Sequence, residues 1–211
     1  MIVEGVVVFL TIAFTFLGLI FFVFDVCYIK TSVYGHSMYP TINVSVTSET
    51  EKGDVAYINR FREIRVGDIV SAKVEWEELK AIGRDSIIKR LVAQGGDRLQ
   101  VEETDTSFIL KNNGSVLYSV EKNNHSIAYY NRFVQNMSKF GQVATDENEQ
   151  DYLIINEGEY FLMSDNWVEN VVDSTKYGTL NEKQIIGGVD ILLHKGENKL
   201  ALITKILKHI F

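Results

Sequence analysis

The apolar positions of this chain fall into three patterns. From Gly5 to Phe24 they are continuous: twenty residues without a charge, with only Thr11 and Thr15 polar. At 1.5 Å per residue, a helix of that length matches a bilayer hydrocarbon core of about 30 Å. The run predicts a transmembrane helix. No basic region precedes it, Glu4 being the only charge there, and no small-x-small site follows, so it reads as uncleaved. From Gly53 onward the apolar positions come in short β-branched or aromatic runs: Gly53–Asn59, Gly67–Val74, Ser86–Val92, Tyr152–Ile155, Glu159–Met163 and Gln184–Leu193. Ser107–Lys111 and Ser115–Ser119 flank Asn112-Asn113-Gly114, a hairpin signal. Asp146–Asp151 reads as an acidic loop. No helical period dominates this region, which predicts a mainly β domain of many short strands. From Lys199 to Phe211 apolar residues alternate with Lys199, Lys205, Lys208 and His209. That predicts an amphipathic helix, lying on a membrane surface or packed on the domain. The implied organisation is an anchor over residues 1–30, a domain over 31–195 and a C-terminal amphipathic segment over 196–211.

Composition narrows the chemistry. A net charge of −7 leaves no basic footprint for nucleic acid. The single cysteine, Cys27, forms no internal disulfide. The four histidines, His36, His125, His194 and His209, lack metal-ligand spacing, so neither a metal nor another cofactor is expected.

The candidate chemistry begins at Gly35-His36-Ser37-Met38-Tyr39-Pro40-Thr41, about a dozen residues past the apolar run. Its proline, the only one in the chain, fixes φ and restricts the residue before it, so Ser37 sits in a restrained turn. A serine hydroxyl needs a neighbouring base to act as a nucleophile. His36 is adjacent in sequence and points elsewhere, whereas Lys89 shares a strand face with Ile87 and Leu91. Burial on an apolar face disfavours the ammonium form. Basicity near neutral pH requires a drop of roughly three units from about 10.4, which costs about 4 kcal/mol. The alternative is a lysine that snorkels to water. Ser86-Ile-Ile-Lys89, Ser164-Asp165-Asn166 and Lys176-Tyr-Gly178 mimic the motif set of penicillin-binding proteins. In those proteins the first motif opens a helix. Here it lies in a β-like run, where residues three apart face opposite sides.

Four segments, in order, resemble the boxes of type I signal peptidases, the membrane-bound serine–lysine proteases of bacteria. Gly35–Thr41 resembles the serine box and Gly67-Asp68-Ile69-Val70 the G-D-I-V strand box. Lys89–Asp97 resembles the lysine box, and Ser164–Asn166 through Asp173-Ser174 to Gly178 the final box. The resemblance implies a β-rich protease domain on the extracytoplasmic side of a cell membrane, held by one transmembrane helix. Ser37 would be nucleophile and Lys89 general base, with the Ser37 backbone N–H as one oxyanion donor. The partners implied are the lipid bilayer and signal peptides of exported preproteins, cut after an Ala-x-Ala-like site. The family's lysine-bearing active site also makes the four Asn-x-Ser/Thr sequons, at Asn43, Asn113, Asn124 and Asn136, chance matches.

The final box departs from the family pattern. Ser164 replaces its first glycine, Trp167 and Thr175 replace its two arginines, and it is one residue longer before Asp173. Val171 stands where the family has a serine that orients the lysine, which makes Asn170 or Ser164 a candidate substitute. Asp165 and Asp173 match the family's aspartates and read as structural or supporting. These departures leave an alternative: a specialised or non-catalytic relative assisting pilus or surface-protein assembly.

Overall fold

The computed structural model describes residues 2–48, 51–168 and 171–210. Helix α1 (Ile2–Cys27) contains the apolar run. Thr11 Oγ1 donates to Val7 O and Thr15 Oγ1 to Thr11 O, both at 2.8 Å. The two hydroxyls are thus satisfied inside the helix, as a hydrocarbon environment requires. Gly5–Cys27 is long and apolar enough to cross a membrane, and its most apolar 18-residue window is not buried by any of the described residues. The helix is compatible with a membrane anchor.

The strands are β1 (Tyr28–Tyr34), β2 (Lys52–Asn59), β3 (Ile69–Lys73), β4 (Ser86–Gln94), β5 (Arg98–Glu103), β6 (Ser107–Asn112), β7 (Ser115–Glu121), β8 (Gln142–Thr145), β9 (Asp151–Ile154), β10 (Glu159–Met163), β11 (Leu180–Asn181) and β12 (Ile185–Leu193). The helices after α1 are α2 (Glu77–Lys80), α3 (Asn124–Phe140), α4 (Ser174–Tyr177) and α5 (Lys199–Ile210). One sheet has the order β1-β2-β12-β3-β4-β10-β11 and the other β7-β6-β5-β9-β8. All strand pairings are antiparallel. The mainly β expectation holds.

Gly95-Gly96-Asp97 turns the chain from β4 in the first sheet to β5 in the second. A Cβ on Gly95 would meet the Glu157 Cα at 2.9 Å, and Gly96 has φ 84°. Asp97 accepts from Gln94 N at 2.9 Å and from the Asn112 and Asn113 amides at 3.0 and 2.7 Å. Asn113 and Gly114, at φ 49° and 80°, make the expected tight turn between β6 and β7.

One element was not anticipated. The middle of the chain holds a 17-residue helix, α3, whose buried residues Ser126, Tyr129, Phe133, Met137 and Phe140 repeat every three or four positions. Asn123 caps it by accepting from His125 N and Ser126 N, and Ser126 Oγ in turn accepts from Asn123 N. Its face is aromatic and set among polar residues, so it reads locally as β-prone. The cap and the 3–4 spacing are the signals that identify it. The first sheet also starts at Tyr28, inside the expected anchor boundary, because Tyr28 already pairs with Asn59. In α5, Leu202 and Ile206 pack with Tyr57, Ile191 and Leu193, while Leu200 and Ile203 face outward.

Candidate active site

The serine turn follows directly on β1. Gly35 adopts φ 75°, a region that suits glycine. Tyr39 N donates to His36 O and Ile42 N to Met38 O, each at 2.9 Å, and the Tyr39–Pro40 bond is cis. Met38 and Ile42 anchor the turn in a buried cluster with Val33 and Ala56. Asn166 clamps it from the final box: its N donates to Ser37 O and its Nδ2 to His36 O, both at 3.0 Å. The His36 ring turns away and lies 2.6 Å from Val46 O through Nε2.

Lys89 lies on β4 opposite Val70 of β3. Its face carries Ile87 and Leu91, which pack in one buried cluster with Val70, Ala72 and Leu162. Lys89 is 5% exposed. Its Nζ donates to Ser37 Oγ at 2.6 Å and to the Ile88 carbonyl at 3.1 Å. β10 pairs with β4 only from Arg90 onward, so residues 86–89 have β3 on one side and an open edge on the other. β1 is the outer strand of the same sheet. These two open edges, Thr31–Tyr34 and Ser86–Lys89, wall a cleft of about 580 Å³. Ser37 and Lys89 line it, together with Val33, Ile87 and Val171.

The residues around the pair bind the boxes together. Arg90 donates through Nε and Nη2 to the two Asp165 oxygens, 2.6 Å each, and through Nη1 to Gly67 O at 2.7 Å. Thr41 Oγ1 donates to Asp165 Oδ2 at 2.6 Å. The Asp165 bonds hold the guanidinium pKa above its ordinary value despite partial burial. Asp173 is fully buried and accepts from Tyr129 OH at 2.7 Å, Ser164 N at 3.0 Å, Thr175 N at 3.0 Å and Thr175 Oγ1 at 2.6 Å. It caps α4 and ties that helix to α3. Ser164 Oγ is buried and has no hydrogen-bond partner among the described residues, Lys89 included. Asn170 lies outside the described residues.

Trp167 and Thr175, which depart from the resembled final box, are both buried. Trp167 is 3% exposed and stacks on Tyr129 and Phe108, in the core under the second sheet. At Thr175, Arg132 of α3 reaches in: its Nη2 lies 2.8 Å from Thr175 Oγ1 and 3.8 Å from Asp173 Oδ1. Sequence reasoning missed Arg90, Arg132 and Asn166 as site supports. For Arg90 the signal was its place beside Lys89; nothing local marks Arg132. No group of three or more potential metal ligands occurs among the described residues.

A family model described as signal peptidase, peptidase S26, matches residues 3–193. Among solved structures, the chain is similar to a signal peptidase I from Enterococcus faecalis V583. Identity is 20%, coverage 61% of this chain and 97% of that one, and the TM-score 0.33. No curated protein matches.

Proposed function

Because the chain belongs to the peptidase S26 family of signal peptidases, and is thus a hydrolase of that kind, we propose that it cuts signal peptides with Ser37 as nucleophile and Lys89 as general base. The observation that carries this reading is the 2.6 Å contact between Lys89 Nζ and Ser37 Oγ at the edge of an open cleft. A neutral Lys89 amine takes the Ser37 proton as Oγ attacks the scissile carbonyl. The carbon–nitrogen bond then breaks, and the lysine proton passes to the leaving amine. A water, deprotonated by the same amine, hydrolyses the acyl-enzyme and restores the Ser37 hydroxyl. Burial of Lys89 among Val70, Ile87 and Leu91 favours the neutral form that this role needs. The Ser37 N–H is the proposed oxyanion donor.

The two open strand edges suit an extended peptide, which can add backbone hydrogen bonds to each. The aliphatic walls at Val33, Ile87 and Val171 suit small side chains of the Ala-x-Ala kind. α1 enters β1 without a linker, so the cleft stays near the membrane surface where a signal peptide emerges. We place the domain on the extracytoplasmic side, with α1 (Ile2–Cys27) as its anchor and the peptidase domain beginning at β1. The test is cleavage of an Ala-x-Ala preprotein in liposomes by wild type, Ser37→Ala and Lys89→Met. Cleavage at that site, lost in both variants, supports the reading. An inert wild type, with both variants still replacing the gene in cells, would favour the assembly-factor alternative.

A further inference from the structure

Asp173 is not the only buried carboxylate outside the proposed chemistry. Asp54, at the start of β2, is 1% exposed. It accepts from Asn43 N at 2.9 Å and Lys195 N at 2.9 Å, and lies 3.0 Å from His194 Nδ1. Asn43 is also 1% exposed. Its Oδ1 accepts from Asp54 N at 2.7 Å, and its Nδ2 donates to the carbonyl of Gly35 at 2.8 Å. Gly35 is two residues before Ser37.

Several unusual features converge on this contact. Asn43 holds φ 62°, a conformation in which asparagine is tolerated better than most residues. Gly53 has to lack a side chain, because a Cβ there would fall 2.0 Å from Asn43 Oδ1. A buried carboxylate is costly unless its oxygens are bonded; here one bond reaches Asn43 beyond the serine turn, and the other two contacts reach His194 and Lys195 after β12. Asn166 fixes the carbonyls of His36 and Ser37. Asn43 fixes the one before them.

We propose that Asn43, held by Asp54, is a positioning residue that sets the direction of Ser37 Oγ toward Lys89. This rests on Ser37 being the nucleophile. Misplacement of a reacting group by about 1 Å costs on the order of a hundredfold in rate. The cleft walls at Thr31–Tyr34 and Ser86–Lys89 lie outside the Asn43 contact, so substrate affinity is expected to change little.

The experiment uses the full chain in liposomes and reads two quantities. One is kcat and KM on an Ala-x-Ala preprotein; the other is the rate at which a serine-reactive phosphonate labels Ser37. Asn43→Gly removes both side-chain bonds and suits the positive φ. We expect kcat and labelling to fall roughly ten- to a hundredfold, with KM within about twofold of wild type. Leu110→Ala, in the distant second-sheet core, is the control for lost stability: it should lower the melting temperature and leave labelling of the folded protein unchanged. Asp54→Asn should fall between Asn43→Gly and wild type. Asn43→Gly labelled as fast as wild type, or slowed only as much as Leu110→Ala, overturns the inference. Failure of the underlying reading looks different: Ser37→Ala would cleave as well as wild type, and the inference would fall with it.

Discussion

Asp165 holds one edge of the Arg90 guanidinium, its two oxygens accepting from Nε and Nη2 at 2.6 Å each. Arg90 is the residue after Lys89, and Asp165 is the residue before Asn166, which clamps the Ser37 turn. One ion pair therefore ties the strand that carries the proposed base to the loop that holds the proposed nucleophile. Thr41 and Gly67 add bonds from the two other boxes.

Asp165→Asn should destabilise the fold by about 3–5 kcal/mol, because it leaves a mostly buried guanidinium without its charge partner. Arg90→Lys should be nearly as harmful, since a single ammonium does not reproduce the bidentate grip. Denaturant titration of the solubilised protein measures both. Losses below about 1 kcal/mol would mean that the pair behaves as an exposed one.

Lys89→Met should separate folding from chemistry. Methionine suits the apolar face of Val70, Ile87 and Leu91, so stability should hold or rise. Cleavage should fall by about 10²–10⁴, the range for removing a general base. Lys89→Arg should be as inactive, since a guanidinium does not deprotonate. A Lys89→Met variant that cleaves within a few-fold of wild type would remove Lys89 from the mechanism.

Asp173 should prove structural. Asp173→Ala leaves the Tyr129 hydroxyl and the Ser164 N–H without their buried acceptor. The expected loss is on the order of 3 kcal/mol or more, as for a stranded buried network. Tyr129→Phe removes one bond only and should cost about 1–2 kcal/mol. Thermal melts and steady-state rates at low temperature compare the two. If Asp173→Ala keeps its melting temperature and loses only kcat, the residue acts on the chemistry instead.

Stability should fall at alkaline pH. Burial first, and then the bond to Asp190, push the Tyr28 phenol up to about 12. The unfolded phenol ionises near pH 10. Between those values the unfolded chain binds fewer protons than the folded one. The contribution is therefore complete below about pH 10 and is lost as pH rises through the folded value. Burial also raises Tyr118 and Tyr129, so they act in the same direction. Tyrosinate absorbance should appear together with unfolding for these residues, and Tyr28→Phe should flatten part of the alkaline decline. A Tyr28→Phe profile that superimposes on wild type would show that the phenol contributes nothing there.

What the sequence alone determined is local. Gly5–Phe24 is apolar over its whole length, so its solvent preference does not depend on any other part of the chain. The alternating runs and Asn113-Gly114 specify strands and one turn by backbone preference. The four boxes identified the family and nominated Ser37 and Lys89. The α3 helix was less legible: its tyrosines and phenylalanines favour strands locally, and the 3–4 spacing decides only once Tyr129 and Phe133 have a core to face. The tertiary structure decided everything that depends on distance. Ser37 and Lys89 are 52 positions apart, and their contact requires β4 to pair with β3 while leaving its first half uncovered. The sequence left Asn170, Ser164 and Asp173 as possible supports. Among the described residues the Ser164 hydroxyl has no partner, and Asp173 is committed to α3 and α4. The fold gives the supporting work to Arg90, Asn166 and Arg132, whose partners lie tens of residues away. Burial is a property of the assembled chain, so which polar groups must find each other inside it is set by strand order and not by spacing.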